Sequence, residues 1–172
     1  DLDTELMDFD NAELRARKCD WDIQQLSLNR KYISDISDVS NQNLVRYFFM
    51  QFEQIVVPIA PELRMSFIHS DANEWNILIK GNEVNALIDF GDMVYSPLII
   101  DIAVAASYLD TDDGNPLYLM NNFIAGYNNV TKLTLDEISI LFDLIKVRLA
   151  TTVAIAAWRK SFRDSDDPYL VL

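Results

Sequence analysis

The chain has 172 residues, half of them hydrophobic, which is enough for one domain with its own core. Its 27 acidic residues against 14 basic give a formal net charge of −13, a surface that phosphate backbones repel, so a nucleic-acid partner is excluded. The same charge suits a cationic small molecule or a divalent metal, or simply solubility. The longest apolar run, residues 96–109, is broken by Asp101 and falls short of a bilayer span, so no membrane partner is expected. Residues 1–10 are acidic and do not form a basic-then-apolar leader. The single cysteine, Cys19, has no internal partner, which favours a reducing cytoplasm.

In chain order the pattern is helix, helix, a short strand-rich centre, then helices. Residues 20–27 predict a short helix. Ser40 is a candidate N-cap for a longer one, with Leu44, Tyr47, Phe48, Phe52, Ile55 and Val56 at helical spacing before Pro58. Phe67-Ile68 and Ile77-Leu78-Ile79 are short apolar runs separated by a polar loop. With Gly81-Asn82 as a turn and Val84 to Phe90 as the return strand, they predict a β-hairpin over residues 77–90. Ser96-Pro97 reads as the cap and first turn of a helix whose body, LIIDIAVAASYL, is apolar nearly all round and should be buried. Residues 116–128 predict another helix, and Thr134 with Glu137 forms a capping box for a long one reaching about Trp158. Asp166-Asp167-Pro168 reads as the start of a further element.

Chemistry concentrates in His69-Ser70-Asp71-Ala72-Asn73-Glu74-Trp75-Asn76 and, behind the hairpin, Ile88-Asp89-Phe90-Gly91-Asp92. A hairpin returns the chain to its start, so Asn76 and Asp89 should lie close together. An amide carbonyl and a carboxylate are the hard oxygens that magnesium on phosphates requires. Asp71 is then free to face a substrate hydroxyl, which is most of what phosphoryl transfer asks of this side of a site. Asp and Asn also favour turns for their own sake. A single histidine excludes the usual zinc sites and HD-type metallophosphohydrolases. Arg148, Arg159, Lys160 and Arg163, on or after the last helix, read as a solvated face or as phosphate contacts. Trp21 and Trp158 read as core.

The order His-x-Asp-x-x-x-x-Asn, then Ile-Asp-Phe-Gly-Asp, resembles the aminoglycoside phosphotransferase and choline kinase superfamily of protein-kinase-like enzymes. Within it, IHSDANEWNILI and IDFGDMVYSPLIIDIAVAASY are most similar to hydroxylysine kinases and to bacterial proteins that join such a kinase to an aminotransferase. The resemblance implies an α+β fold: the mainly helical C-terminal lobe of a protein-kinase-like enzyme, with a small β-hairpin at the active site. It implies that Asp71 is the catalytic base, that Asn76 and Asp89 bind Mg2+ and through it the nucleotide, and that His69 and Asp101 support the loop. Asp92 matches a family position to which no role is assigned. Ser70 replaces the usual glycine, a mild change if the backbone there avoids positive φ. Glu74 and Trp75 fall where the family varies and are candidates to face the substrate.

The implied reaction moves the γ-phosphoryl group of ATP or GTP to a hydroxyl of a small amine-bearing molecule, hydroxylysine or a related amino alcohol. The four glycines are unclustered, and Lys18 and Lys31 are poor phosphate-binding candidates. The nucleotide lobe is therefore expected elsewhere in the same parent chain, where a fused aminotransferase is a further expected partner. Two rival readings are a catalytically silent, pseudokinase-like binding module and an acidic helical interaction domain.

Overall fold

A computed structural model describes residues 2–109 and 115–163. Two short helices, α1 (Leu2–Leu6) and α2 (Ala12–Ala16), precede a 3-10 helix over Ile23–Asp35 that kinks at Gln25. Helix α3 (Val39–Gln51) runs on through a π turn at Phe52–Val56. Four strands follow: β1 (Met65–Ile68), β2 (Ile77–Lys80), β3 (Glu83–Leu87) and β4 (Val94–Pro97). Three helices close the chain: α4 (Ile99–Ser107), α5 (Pro116–Val130) and α6 (Leu135–Lys160). The lobe is mainly helical with small antiparallel ribbons, the α+β class expected.

The strands form two separate two-stranded ribbons, β1 with β4 and β2 with β3. Met65 faces Pro97 and Ile68 faces Val94 in the first, while Ile77 faces Leu87 and Lys80 faces Glu83 in the second. The polar loop 69–76 leaves β1 to enter β2, and segment 88–93 leaves β3 to enter β4. Both chemistry-bearing segments therefore bridge the same pair of ribbons, which fixes them side by side. Gly81 makes the tight turn between β2 and β3 at φ = 66°, a left-handed conformation that glycine adopts without strain.

Helix α6 organises the interior. It packs on α4, on the Ile23–Asp35 helix and on α3. Ile140, Leu144, Ile145, Val147, Ala154 and Ile155 are buried along it, and α4 meets it with Ile99, Ile100 and a fully enclosed run from Ile102 to Ala106. As its composition predicts, α4 is apolar on every side because it lies inside. The α6 N-terminus carries the predicted capping box: Thr134 Oγ1 accepts from the Glu137 N–H, and Glu137 Oε2 accepts from the Thr134 N–H. Glu137 is buried and also receives Arg64, whose Nε and Nη2 donate at 2.8 and 2.7 Å.

Several local expectations are corrected. Ser96-Pro97 does not open a helix. It lies in β4, held by the ladder to β1, with Ser96 Oγ buried and donating to Asp22 Oδ1 at 2.9 Å. Helix α4 starts at Ile99 without a side-chain cap. The cap of α3 is Asp38, whose carboxylate accepts from the Asn41 N–H at 2.7 Å, so Ser40 is inside the helix. Its inner face is Val45, Phe49, Phe52 and Val56, whereas Leu44, Tyr47 and Ile55 are exposed. Strand β3 ends at Leu87 and not at Phe90, because Asp89 turns into the left-handed region. Residues 166–168 lie outside the described residues. Among the described residues no helix is long and apolar enough to cross a membrane.

The cap on α6 makes a measurable prediction. Thr134→Ala should lower unfolding free energy by about 1 kcal/mol. Glu137→Ala should cost about 2–3 kcal/mol, since it also leaves Arg64 without its bidentate acceptor. Urea unfolding of the two variants checks the ranking; equal losses would show that Arg64 contributes nothing.

Candidate active site

At the end of β1, His69 is fully buried and joins the two segments. Its Nδ1 accepts from the Asp71 N–H at 3.2 Å, which leaves the ring proton on Nε2, donated to the Ile88 carbonyl at 2.9 Å. The ring also meets Phe90 edge-on at 4.8 Å. Ser70 follows with φ = 65°, so the condition under which serine would replace glycine mildly is not met. Its N–H donates to Asp101 Oδ1 at 2.7 Å, and its buried Oγ has no partner among the described residues. Asp101 is partly buried in the first turn of α4. Burial, reinforced by the charge of Asp3 and opposed by the Ser70 and His69 backbone N–H groups, pushes its carboxyl up to about 7.

Asp71 is held on both carboxylate oxygens. Oδ2 accepts from Asn76 Nδ2 at 3.0 Å and from Asn73 Nδ2 at 3.2 Å, while Oδ1 accepts from the Tyr108 hydroxyl at 2.9 Å. Arg148 Nη2 lies 3.6 Å from the same Oδ1. Asn76 Nδ2 also reaches the Asp71 carbonyl at 2.9 Å. Asn73 Oδ1 receives the N–H groups of Trp75 and Asn76, which shapes the turn into β2. The Asn76 carbonyl then accepts from the Ile88 N–H at 2.9 Å, one pair beyond the β2–β3 ladder, and so brings Asn76 beside the residue preceding Asp89.

Asp89 adopts φ = 60° and accepts from the Gly91 N–H at 3.2 Å through Oδ1. A Cβ at Gly91 would lie 2.9 Å from that oxygen, so any other residue there would push the Asp89 carboxylate aside. Arg17 clamps the same turn from α2's C-terminal side by donating to the Gly91 and Met93 carbonyls at 2.5 and 3.0 Å. Asp92 receives Cys19 Sγ at 3.7 Å; burial pushes its carboxyl up, and the charge of Asp71 adds to this.

Asn76 Oδ1 and Asp89 Oδ2 accept no hydrogen bond among the described residues. Two hard oxygens carrying one formal charge fit magnesium, which keeps waters and takes phosphate oxygens for its remaining positions. They do not make a self-sufficient metal cage, and among the described residues no group of three His, Cys, Asp or Glu side chains does. Beside the loop opens a cleft of about 950 Å3. Trp21, Trp75 and Tyr108 supply aromatic walls, and Asp35, Asp38 and Glu74 supply carboxylates, with Arg159 and Lys160 also on its lining. A smaller cavity of 190 Å3 between α1 and β1 includes none of the loop residues.

Sequence reasoning missed Tyr108 and misplaced Arg148. Arg148 is not on a solvated face: it is 2% exposed, lies 4.6 Å over the Trp21 ring and donates to the Trp21 carbonyl. The signal was present, since Leu141, Leu144, Ile145, Arg148, Thr151 and Ile155 share one helical stripe, and only Arg148 in it is charged. Trp21, read as core, does pack against it, and its partly exposed side also lines the cleft.

Ser70→Gly should raise stability by about 1 kcal/mol, relieving the left-handed serine and its unpartnered hydroxyl against the added entropy of glycine. Thermal melting reads this directly, and a fall in midpoint would contradict it. Asp101 supplies a pH test. An acid whose folded pKa is raised from 3.8 to about 7 keeps its proton longer folded than unfolded. Its contribution to stability is therefore complete at acid pH and lost as pH rises across that window, by at most about 1.4 kcal/mol per unit. Asp101→Asn keeps an acceptor for Ser70 but does not titrate. Between about pH 4.5 and pH 8 the urea midpoint of the wild type should fall relative to this variant; parallel profiles would refute the shift.

A family model described as a phosphotransferase enzyme family matches residues 8–133. Hydroxylysine kinase of Mus musculus is 26% identical over 183 residues, covering 99% of this chain and 49% of that protein. Hydroxylysine kinase of Xenopus laevis is 25% identical over 162 residues, covering 88% of this chain and 43% of that protein. The Danio rerio protein of the same name is 22% identical over 179 residues. The chain spans about half the length of the curated relatives it matches. No solved structure matches it. With the family model covering the loop, the hairpin and α4, the chain belongs to the phosphotransferase enzyme family.

Proposed function

We propose that these residues form the catalytic lobe of a small-molecule kinase that transfers the γ-phosphoryl group of ATP or GTP to a hydroxyl of an amine-bearing acceptor. The observation that supports this is the fixation of Asp71: three donors hold its carboxylate, one of them from Asn76, whose carbonyl pairs with the Ile88 N–H next to Asp89. Asp71 accepts the proton of the acceptor hydroxyl. Asn76 Oδ1 and Asp89 would hold Mg2+, which when bound neutralises the phosphates and aligns them. Asn76 thus links the two tasks, since its amide nitrogen orients Asp71 while its oxygen would be a ligand of the metal. His69, Asp101 and Arg17 keep the two segments in register.

The acceptor cleft supports an amine. Aromatic faces and carboxylates together attract an ammonium group. Arg159 and Lys160 on the same cleft suit a carboxylate as well, which favours hydroxylysine or a similar amino acid over choline-like alcohols. A strand-rich nucleotide lobe in the parent chain would complete the phosphate site, and Cys19 is compatible with a cytoplasmic location.

The test uses the full-length parent protein with ATP or GTP and a hydroxylated amine. Asp71→Asn should leave magnesium-nucleotide affinity nearly intact and reduce turnover about 10²- to 10⁴-fold. Asp89→Asn should weaken both. Equal loss of nucleotide affinity in the two variants would erase the division between base and metal ligand, and undiminished turnover in Asp71→Asn would end the kinase assignment.

A further inference from the structure

Beyond the loop residues, two side chains from distant elements converge on Asp71. Tyr108 follows the last turn of α4, and Arg148 projects from the middle of α6. Arg148 Nη2 donates to the Tyr108 hydroxyl oxygen at 3.0 Å, and that hydroxyl donates to Asp71 Oδ1 at 2.9 Å. Arg148 itself stays 3.6 Å from Oδ1, outside hydrogen-bond range, so the tyrosine is the physical link between the buried cation and the carboxylate. A phenol that accepts from a guanidinium becomes a better donor, which strengthens its bond to the carboxylate. Burial raises the Tyr108 pKa, and the charge of Asp71 raises it further against Arg148, so the hydroxyl keeps its proton around neutrality. Tyr108 is 39% exposed and lines the cleft, with its hydroxyl bonded to Asp71.

We propose that Tyr108, backed by Arg148, is a positioning residue for phosphoryl transfer, locking one oxygen of Asp71 so that the remaining acceptor directions of the carboxylate serve the incoming hydroxyl. This inference rests on the kinase reading of Asp71. Two asparagine amides fix Oδ2 from the loop's own side, but both belong to the loop and move with it. Tyr108 and Arg148 tie the carboxylate to the end of α4 and to α6, and thereby fix its place relative to the cleft that Tyr108 and α6 help to line. Without the tyrosine hydroxyl the carboxylate keeps its charge but loses the one hydrogen bond it accepts from outside the loop among the described residues. The Arg148 cation then has no bridging oxygen between it and Asp71.

Tyr108→Phe isolates the effect, because the ring and its packing remain. In the full-length protein, kcat should fall about 10- to 100-fold, the scale of a misplaced reacting group, with acceptor KM changed less than about threefold. Combined with Asp71→Asn, the same substitution should cost no more than about a further twofold, because its route to the reaction has already been removed. The thermal midpoint of each variant is measured alongside, so that a general loss of fold is seen as such. Unchanged kcat in Tyr108→Phe where Asp71→Asn is crippled would overturn the positioning role and leave the kinase reading standing. Losses that multiply in the double variant would overturn it too, as would a rise in kcat with a lower acceptor KM, which would make the tyrosine hydroxyl a competitor of the substrate. A fully active Asp71→Asn would remove the base assignment and the positioning role with it.

Discussion

A cation placed inside a protein has to be answered by an anion and by hydrogen-bond acceptors, or it costs several kcal/mol. Arg148, enclosed at the centre of the longest helix, imposes that requirement on everything around it. Its neighbours are the Trp21 ring and carbonyl, the Tyr108 hydroxyl and, at 3.6 Å, the Asp71 carboxylate, which is its ion-pair partner among the described residues. The candidate base is therefore part of the fold's electrostatic balance as well as of its chemistry. The Ile23–Asp35 helix approach, the end of α4 and the 69–76 loop all meet at this guanidinium. The distances between them are consequently set by α6.

The same centre gathers negative charge. Asp71 and Asp92 are close enough for one to raise the other's pKa, and Asp101 feels Asp3 through the interior. Like charges this near are tolerated only where donors or cations intervene. Here they are Arg148 beside Asp71, Arg17 at the 91–93 turn, and the backbone N–H groups of 69 and 70 at Asp101. The balance remains tilted toward acid, in keeping with the −13 of the whole chain. An ammonium group and a divalent cation are both ligands that such a tilt attracts.

Much of this was legible in the sequence wherever a local rule had no competitor. The Thr134–Glu137 box predicted the start of α6 because both halves of the cap lie within one turn, and the apolar body of α4 could only be interior. The Gly81-Asn82 turn and the hairpin followed from turn chemistry and two apolar runs. Local rules failed where tertiary pairing overrode them. Ser96-Pro97 has the chemistry of a helix start, but the β1 ladder and the buried bond to Asp22 claim it for a strand. The stripe on α3 was read partly on its solvent side, since aromatic and aliphatic residues occupy both faces of that helix. In the site, the loop's own residues could be named because they are contiguous. Tyr108 and Arg17 could not, because their relevance arises from contacts 37 and 74 positions apart in the chain, Tyr108 with Asp71 and Arg17 with Gly91; for Arg148 the apolar stripe showed its burial but not its partner Asp71, 77 positions away.

The two non-glycine residues at positive φ among the described residues are Ser70 and Asp89. They flank the place where the loop and the returning segment meet, one directly before Asp71 and the other itself a candidate metal ligand. Such conformations cost about 1–3 kcal/mol each and persist only where the surroundings over-determine them. That condition is met twice. Ser70 is fixed by Asp101 below and by the His69 ring, which grips both Asp71 and Ile88; Asp89 is fixed between the Asn76–Ile88 bond and the Gly91 turn that Arg17 clamps. One histidine thus holds both strained segments at once. The strain turns Asp71 and Asp89 out of their strand directions, which regular backbone could not do at adjacent positions of two separate ribbons. Asp101 is raised to about 7 by desolvation, so the geometry of the base is tied to a carboxylate whose charge changes near physiological pH.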